Sequence, residues 1–146
     1  MHTSISNDPE DMDLDVIHGF LTTSYWSPGI SKERVENAMR NSLPFGVFLK
    51  GEQVAYARVV SDYTTFAYLG DVFVVPEHRG KGFSRQLLTA IHDHPGLQGL
   101  RSWYLRTEDA QGLYRRFGWI SEPTPENIMI YRPSSSTTNQ SAHELR

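Results

Sequence analysis

Cysteine is absent from the sequence. That excludes a disulfide framework, a thiolate metal site, an iron–sulfur cluster and a cysteine nucleophile. Long apolar runs are absent too: the longest, such as Val72–Val75, is four residues, where a membrane span takes ~20. There is no surplus of positive charge. The 14 Lys and Arg stand against 17 Asp and Glu, a net charge of −3, whereas dedicated nucleic-acid binders carry the opposite balance. Met1 is followed by His2, Thr3, Ser4 and Ile5 with no basic, apolar leader, so no secretory signal is expected. The expectation is a cytoplasmic protein with neither nucleic-acid nor membrane partners. At 146 residues, 38% of them apolar, the chain suits one domain. It buries roughly 68–70% of its unfolded surface, enough for a core without staples.

The charge is unevenly placed. Asp8, Glu10, Asp11, Asp13 and Asp15 cluster near the start, whereas Arg79, Lys81 and Arg85 share the stretch Arg79–Ile91 with no acid. A local basic patch in an acidic chain points to a specific anionic ligand rather than to general polyanion affinity.

Apolar spacing and breakers predict the elements. His2–Ser6 reads as a short first strand. From about Asp13 to Ser24, Ile17 with Leu21 and Val16 with Phe20 repeat at helical spacing behind an Asp13 cap. Tyr25-Trp26-Ser27-Pro28-Gly29 is a loop, and Ser31 caps a second helix carrying Val35, Ala38 and Met39. Phe45–Leu49 and Gln53–Val60 read as strands around a Gly51 turn. Phe66–Val75 is the strongest strand, and its apolar end fits a central strand covered on both sides. A helix from Phe83 to His92 follows, closed by Pro95 and Gly96. Trp103–Thr107 is a strand, and Asp109–Phe117 a short helix stopped by Gly118. Trp119–Ser121 and Asn127–Arg132 are expected to pair as a last two strands. The domain is placed at residues 1–132. The polar stretch Pro133–Arg146, where only Ala142 and Leu145 are apolar, is expected to be a disordered tail.

The informative segment is Val74-Val75-Pro76-Glu77-His78-Arg79-Gly80-Lys81-Gly82-Phe83-Ser84-Arg85. It reads strand, turn, glycine-rich loop, helix. The first amides of a helix have no intrahelical partner, and the macrodipole adds roughly half a positive charge there. Gly80 and Gly82 allow close approach of the backbone, and three cations surround them. The combination suits a phosphate or pyrophosphate. A Walker A pattern fails, because no Gly-Lys-Ser/Thr occurs. The dinucleotide fingerprint is half present, with Arg85 where a third glycine would stand.

Arg79-Gly80-Lys81-Gly82-Phe83-Ser84 resembles the acyl-CoA pyrophosphate loop of the GNAT N-acetyltransferase superfamily, a Gln/Arg-x-x-Gly-x-Gly/Ala pattern. Arg79 and Gly82 match, and Ser84 replaces the last small residue. The strand from Asp71 to Val75 leads into it as in that family. Downstream, Asp109-Ala110-Gln111-Gly112-Leu113-Tyr114-Arg115-Arg116-Phe117-Gly118-Trp119 resembles the family's tyrosine helix and Phe-Gly-aromatic segment. The resemblance covers about Phe45–Tyr131.

It implies an α/β (α+β) GNAT fold: a mixed, mostly antiparallel central sheet with helices on both faces. It implies an acetyl-CoA-dependent N-acetyltransferase that moves the acetyl group directly to a small-molecule or peptide amine in a ternary complex. Neither a cysteine nor a Gly-x-Ser-x-Gly elbow is present to carry an acyl group. It assigns pantetheine to the backbone of Phe73, Val74 and Val75, and pyrophosphate to Arg79, Gly80, Lys81, Gly82, Phe83 and Ser84. Further cofactor contacts fall to Ala110, Tyr114 and Phe117. Tyr114 matches the tyrosine that protonates the departing thiolate, a role that suits a phenol.

Asp71 is the acid of the central strand and the candidate base, acting directly or through water, with Glu108 and Asp109 as alternatives. Gly70 stands where other members carry Glu. Tyr25 and Trp26 are candidates for the acceptor pocket. Homodimers are frequent in such families, and a dimer is the expected assembly. His92-Asp93-His94 sits at a helix end, where dipole complementarity accounts for it, and no metal is expected. The rival reading is a non-catalytic acyl-CoA-binding sensor of the same fold.

Overall fold

The structure, a computed structural model, describes residues 2–133. They fall into two compact units that divide between Asp109 and Ala110. The first holds a five-stranded sheet in chain order: β1 (Thr3–Ser6), β2 (Leu43–Leu49), β3 (Glu52–Ser61), β4 (Phe66–Val74) and β5 (Ser102–Leu105). Neighbours are antiparallel except β4 and β5, which are parallel. Helices α1 (Leu14–Leu21) and α2 (Lys32–Arg40) precede β2, and α3 (Phe83–Asp93) joins β4 to β5. This is the mixed α/β sheet that the sequence implies. Among the described residues no helix is long and apolar enough to cross a membrane.

The helix starts follow local chemistry. Asp13 accepts from the Val16 amide at 3.2 Å and Ser31 from that of Arg34 at 3.2 Å, each side chain satisfying an orphan donor of the first turn. Pro44, expected to lie in the gap before the strand, is inside β2. Its carbonyl accepts from the Asn7 side chain at 3.0 Å, just past the end of β1. A proline there interrupts no ladder.

One register shift between β3 and β4 sets the faces of β4. Between Tyr56–Phe73 and Arg58–Gly70 the register shifts by one, so β4 holds an extra residue at Asp71–Val72. Above the bulge Leu69 faces one side, and below it Phe73 faces the other, although both numbers are odd. Tyr56 and Phe73, with Phe48, therefore pack under α1 and α2 against Met12, Ile17, Leu21, Val35 and Met39. The opposite face buries Phe45, Val47, Ala57, Val59 and Leu69. There α3 packs on β2, β3 and β4 with Phe83, Leu87, Leu88 and Ile91 inward. Beyond Arg58 the α1–α2 face is open, and Val60 and Tyr104 are exposed on it.

The second unit carries α4 (Gln111–Arg115), shorter than the expected Asp109–Phe117, and a 3-10 turn at Pro125–Asn127. The expected strand pair Trp119–Ser121 and Asn127–Arg132 is not formed among the described residues. The apolar residues that suggested it lie in water, with Ile120 79%, Met129 92% and Tyr131 84% exposed, so no sheet face holds the pair. The expected polar tail lies outside the described residues apart from Pro133.

The β3–β4 hairpin turns on Asp62. Its carboxylate accepts from the amides of Thr64 (2.9 Å) and Thr65 (2.7 Å) and from the Thr65 hydroxyl (2.6 Å). These bonds hold its pKa far below the usual 3.8. Asp62→Ala is expected to lower the melting temperature at pH 7. A depressed carboxylate stabilises above its unfolded pKa. The gap between wild type and variant therefore closes as pH falls from about 3.8 through the lower folded value, which thermal melts along a pH series would follow.

Candidate active site

The β4–β5 ladder runs from Phe66–Ser102 to Leu69–Leu105 and stops there, while β4 continues to Val74. The two strands thus part beside the bulge. Below it, Val75 donates to Val54 O at 2.9 Å. The alternation of an antiparallel ladder then turns the Val74 N–H and C=O away from β3, toward the side where β5 has ended. Of Phe73, Val74 and Val75, only Val74 has its peptide directed into the opening.

The chain leaves β4 through a 3-10 turn at Pro76–His78 and enters the glycine loop. Gly80 and Gly82 have φ of +78° and +87°, and a Cβ built on either meets nothing within 4 Å. Both are glycine for backbone conformation, and both border open space. Gly82 caps α3 without a side-chain hydrogen bond, and the first turn of α3 contains no acid. Lys81 Nζ lies 3.4 Å from His78 Nδ1. Arg79 is bound back on the strand. Its Nε donates to Val74 O at 3.1 Å, and its guanidinium carbon is 5.8 Å from the Phe20 ring centre. Phe20 in turn stacks on Phe73, with centroids 4.1 Å apart. Arg79 therefore braces the loop against β4, and Phe83 is buried as the first residue of α3.

On the other side of β4, Asp71 occupies the bulge with φ of +55°, a left-handed conformation that Asp tolerates better than most residues. Its Oδ2 accepts from Arg58 Nε at 2.7 Å and its Oδ1 from Trp26 Nε1 at 2.9 Å. Arg58 Nη1 also donates to Ser42 Oγ at 3.2 Å. Tyr25 packs edge-on against Trp26, and its hydroxyl accepts from the Glu108 amide at 3.2 Å. The loop between α1 and α2 is thereby fixed at two points, to the bulge and to the chain just past β5. The Tyr56 phenol is held neutral. Burial pushes its pKa up, and the Asp71 carboxylate adds to the shift.

Sequence reading singled out Tyr25, Trp26 and Asp71, and the structure joins Trp26 to Asp71. It missed Arg58 and Phe20. Arg58 was within reach, since counting back across the Asp62 hairpin sets it opposite Gly70. In the second unit, Ala110 is the N-cap of α4 and Tyr114 lies within the helix, its ring 5.9 Å from that of Trp119. Its carbonyl accepts from the amides of Phe117 (2.9 Å) and Trp119 (3.2 Å) around Gly118. His92, at the end of α3, packs tilted against Trp103 with ring centroids 5.3 Å apart, and burial lowers its pKa.

Residues 41–121 match the family model described as an acetyltransferase (GNAT) domain. The chain belongs to the GNAT acetyltransferase family. A curated relative from Gibberella zeae, named "Putative acetyltransferase", is 30% identical over 133 residues, covering 75% of this chain and 74% of the relative. A crystal structure from Xanthomonas campestris pv. campestris, titled a "putative acetyltransferase belonging to the gnat family", is 47% identical. It superimposes with a TM-score of 0.87 over 90% of this chain and 94% of that one. A structure from Deinococcus radiodurans R1, at 17% identity and a TM-score of 0.71, covers 90% of this chain and 88% of its own, and shares the fold. Members of this family generally take the acetyl group from acetyl-CoA.

The glycine geometry sets a stability prediction. Gly82→Ala is expected to cost about 1–2 kcal/mol, the penalty of a Cβ in left-handed backbone. Since that Cβ meets nothing within 4 Å, none of the loss comes from a clash. Urea unfolding should show a lower midpoint with an unchanged m-value.

Proposed function

We propose that this acetyltransferase moves the acetyl group of acetyl-CoA directly to an amine in a ternary complex, as a cytoplasmic enzyme. The observation that carries the reading is the opening beside β4. The Val74 peptide faces the side where β5 has ended, and the same strand runs on into a glycine loop and the uncapped start of an eleven-residue helix.

Acetyl-CoA, when bound, supplies an activated thioester. The fit lies in the donors. Amides of Gly80–Ser84, with Gly80 and Gly82 bordered by open space, suit a pyrophosphate, and Lys81 adds charge. The stretch Phe73–Val75 lines the pantetheine, with Val74 offering the peptide. Its N–H is the donor for the acyl oxygen, a contribution of about 3 kcal/mol for a single preorganised donor. Tyr114 is the proton donor to the departing sulfur, and Ala110 and Phe117 flank it in sequence at the cofactor. Asp71 takes the proton that the amine must lose, directly or through water, and Tyr25 and Trp26 face the acceptor.

The test has two stages. Acetyl-CoA and CoA at ~100 times Kd should add ~2.7 kcal/mol of stability, read as a rise in melting temperature that ATP and NAD do not produce. The protein with acetyl-CoA is then offered polyamines, amino acids, aminoglycosides and peptide N-termini, and free CoA is assayed. Tyr114→Phe is expected to lower kcat about 100-fold with CoA affinity unchanged. Tight CoA binding without turnover of any amine would favour the sensor reading, and no thermal shift with CoA would overturn both.

A further inference from the structure

We infer that Trp26 and Arg58 are positioning residues for the acceptor half of the reaction, because together they fix the Asp71 carboxylate at the β4 bulge. The inference rests on the reading of Asp71 as the group that meets the amine.

Asp71 lies where a side chain is hardest to place by backbone alone. Its φ of +55° is left-handed and its strand is out of register with β3 at that point. The carboxylate is nonetheless held from two directions by two different elements. The Arg58 guanidinium comes from β3, 2.7 Å from Oδ2, and the Trp26 indole comes from the α1–α2 loop, 2.9 Å from Oδ1. The Asp71 side chain is only 12% exposed and that of Arg58 24%, so the Arg58–Asp71 bond is partly shielded from competing water, whereas the bond from Trp26 lies at the surface. A carboxylate offers roughly four acceptor sites, so both oxygens keep a lone pair for an amine or a bridging water.

Gly70 makes the room. A Cβ there would meet the Tyr68 ring at 3.3 Å and Arg58 Nη2 at 3.9 Å, so a longer side chain would crowd the guanidinium that holds Asp71. The open part of the same face, past Arg58, lets an acceptor reach the carboxylate along the sheet. Trp26 has a second tie. It packs edge-on with Tyr25, whose hydroxyl is fixed to the Glu108 amide. The indole that holds Asp71 is thus itself held, and the orientation of the carboxylate is coupled to the loop that carries the two aromatic acceptor candidates.

The test uses the full chain and two readouts. The first needs no acceptor. The protein has three tryptophans, so a 15N-tryptophan spectrum shows three indole N–H signals, and the one missing from Trp26→Phe belongs to Trp26. Asp71→Asn and Arg58→Gln are expected to shift that signal and speed its exchange with solvent; an unmoved signal overturns the inference. The second is steady-state kinetics with whichever panel amine the wild type acetylates fastest. Trp26→Phe keeps the ring and removes the donor, and should raise KM for the amine about tenfold, the worth of one hydrogen bond to a charged group. KM for acetyl-CoA should not change. Arg58→Gln should lower kcat/KM for the amine more than tenfold, and Arg58→Lys should restore part of it. Loss of melting temperature with wild-type amine kinetics would mean that the bonds hold only the loop, and would overturn the inference while leaving acetyl transfer intact. A wild type that binds acetyl-CoA but acetylates no amine overturns the transferase reading, and the inference with it.

Discussion

A single extra residue in β4 governs the geometry of the first unit. Pairing with β3 is regular up to Gly70 and again from Phe73, with one residue too many between them. The strand meets that surplus by placing Asp71 in left-handed backbone. Three consequences come from the one bulge. Side-chain parity reverses, so the aromatic Phe73 reaches the core under α1 and α2 while Leu69 serves the α3 face. The Asp71 carboxylate turns to Arg58 and Trp26. Finally, the strand bends where its ladder with β5 has just ended, because a bulge raises local twist. Without it, an unbroken period of two would send Phe73 to the face of Leu69, away from the pocket that its ring fills.

The contacts around the bulge offset its cost. A non-glycine residue in left-handed backbone is disfavoured by roughly 1–2 kcal/mol, and a hydrogen bond to a charged group contributes roughly 1.5–3 kcal/mol. Either of the two bonds to Asp71 is therefore of the right size to hold the conformation. On the other side of the strand end, Arg79 plays a matching part. It donates to Val74 O and lies over Phe20, which stacks on Phe73. The glycine loop is in this way tied directly to the strand end, and both rest on one aromatic cluster of Phe20 and Phe73.

Much of this was legible in the residues. Periodicity predicted the three α-helices of the first unit, two of them with their caps, Asp13 and Ser31. The apolar run Val72–Val75 predicted the strand, although of its four residues only Phe73 is buried and the others are partly exposed beside the opening, and the glycine loop pointed to the family. Two things were not legible. The direction of the Asp71 side chain depends on a register shift, and a period of two carries no mark of where it breaks. Asp62, Gly70 and Asp71 are ordinary residues for a turn and a bulge alike. The expected last strands failed for a different reason. Ile128, Met129, Ile130 and Tyr131 have the composition of a strand, but composition says only that a segment fits a pleated surface. It supplies no partner, and the segment is exposed.

The two halves of the proposed chemistry are built from different materials, and this explains what the sequence reveals about each. The proposed acyl side uses backbone: a strand peptide at Val74, glycines at positive φ and the first amides of a helix. Such a site demands few residue types, but it demands those glycines at a fixed spacing, so a short motif identifies it. The proposed acceptor side uses side chains brought from three separated segments: Trp26 from a loop, Arg58 from β3 and Asp71 from β4, which hydrogen bonds join. No spacing rule links positions 26, 58 and 71, because their proximity depends on the hairpin register and on the bulge. A chain of this design announces its family through the donor site. The proposed acceptor site consists of contacts that only the folded chain brings together, and the fold by itself does not name the substrate.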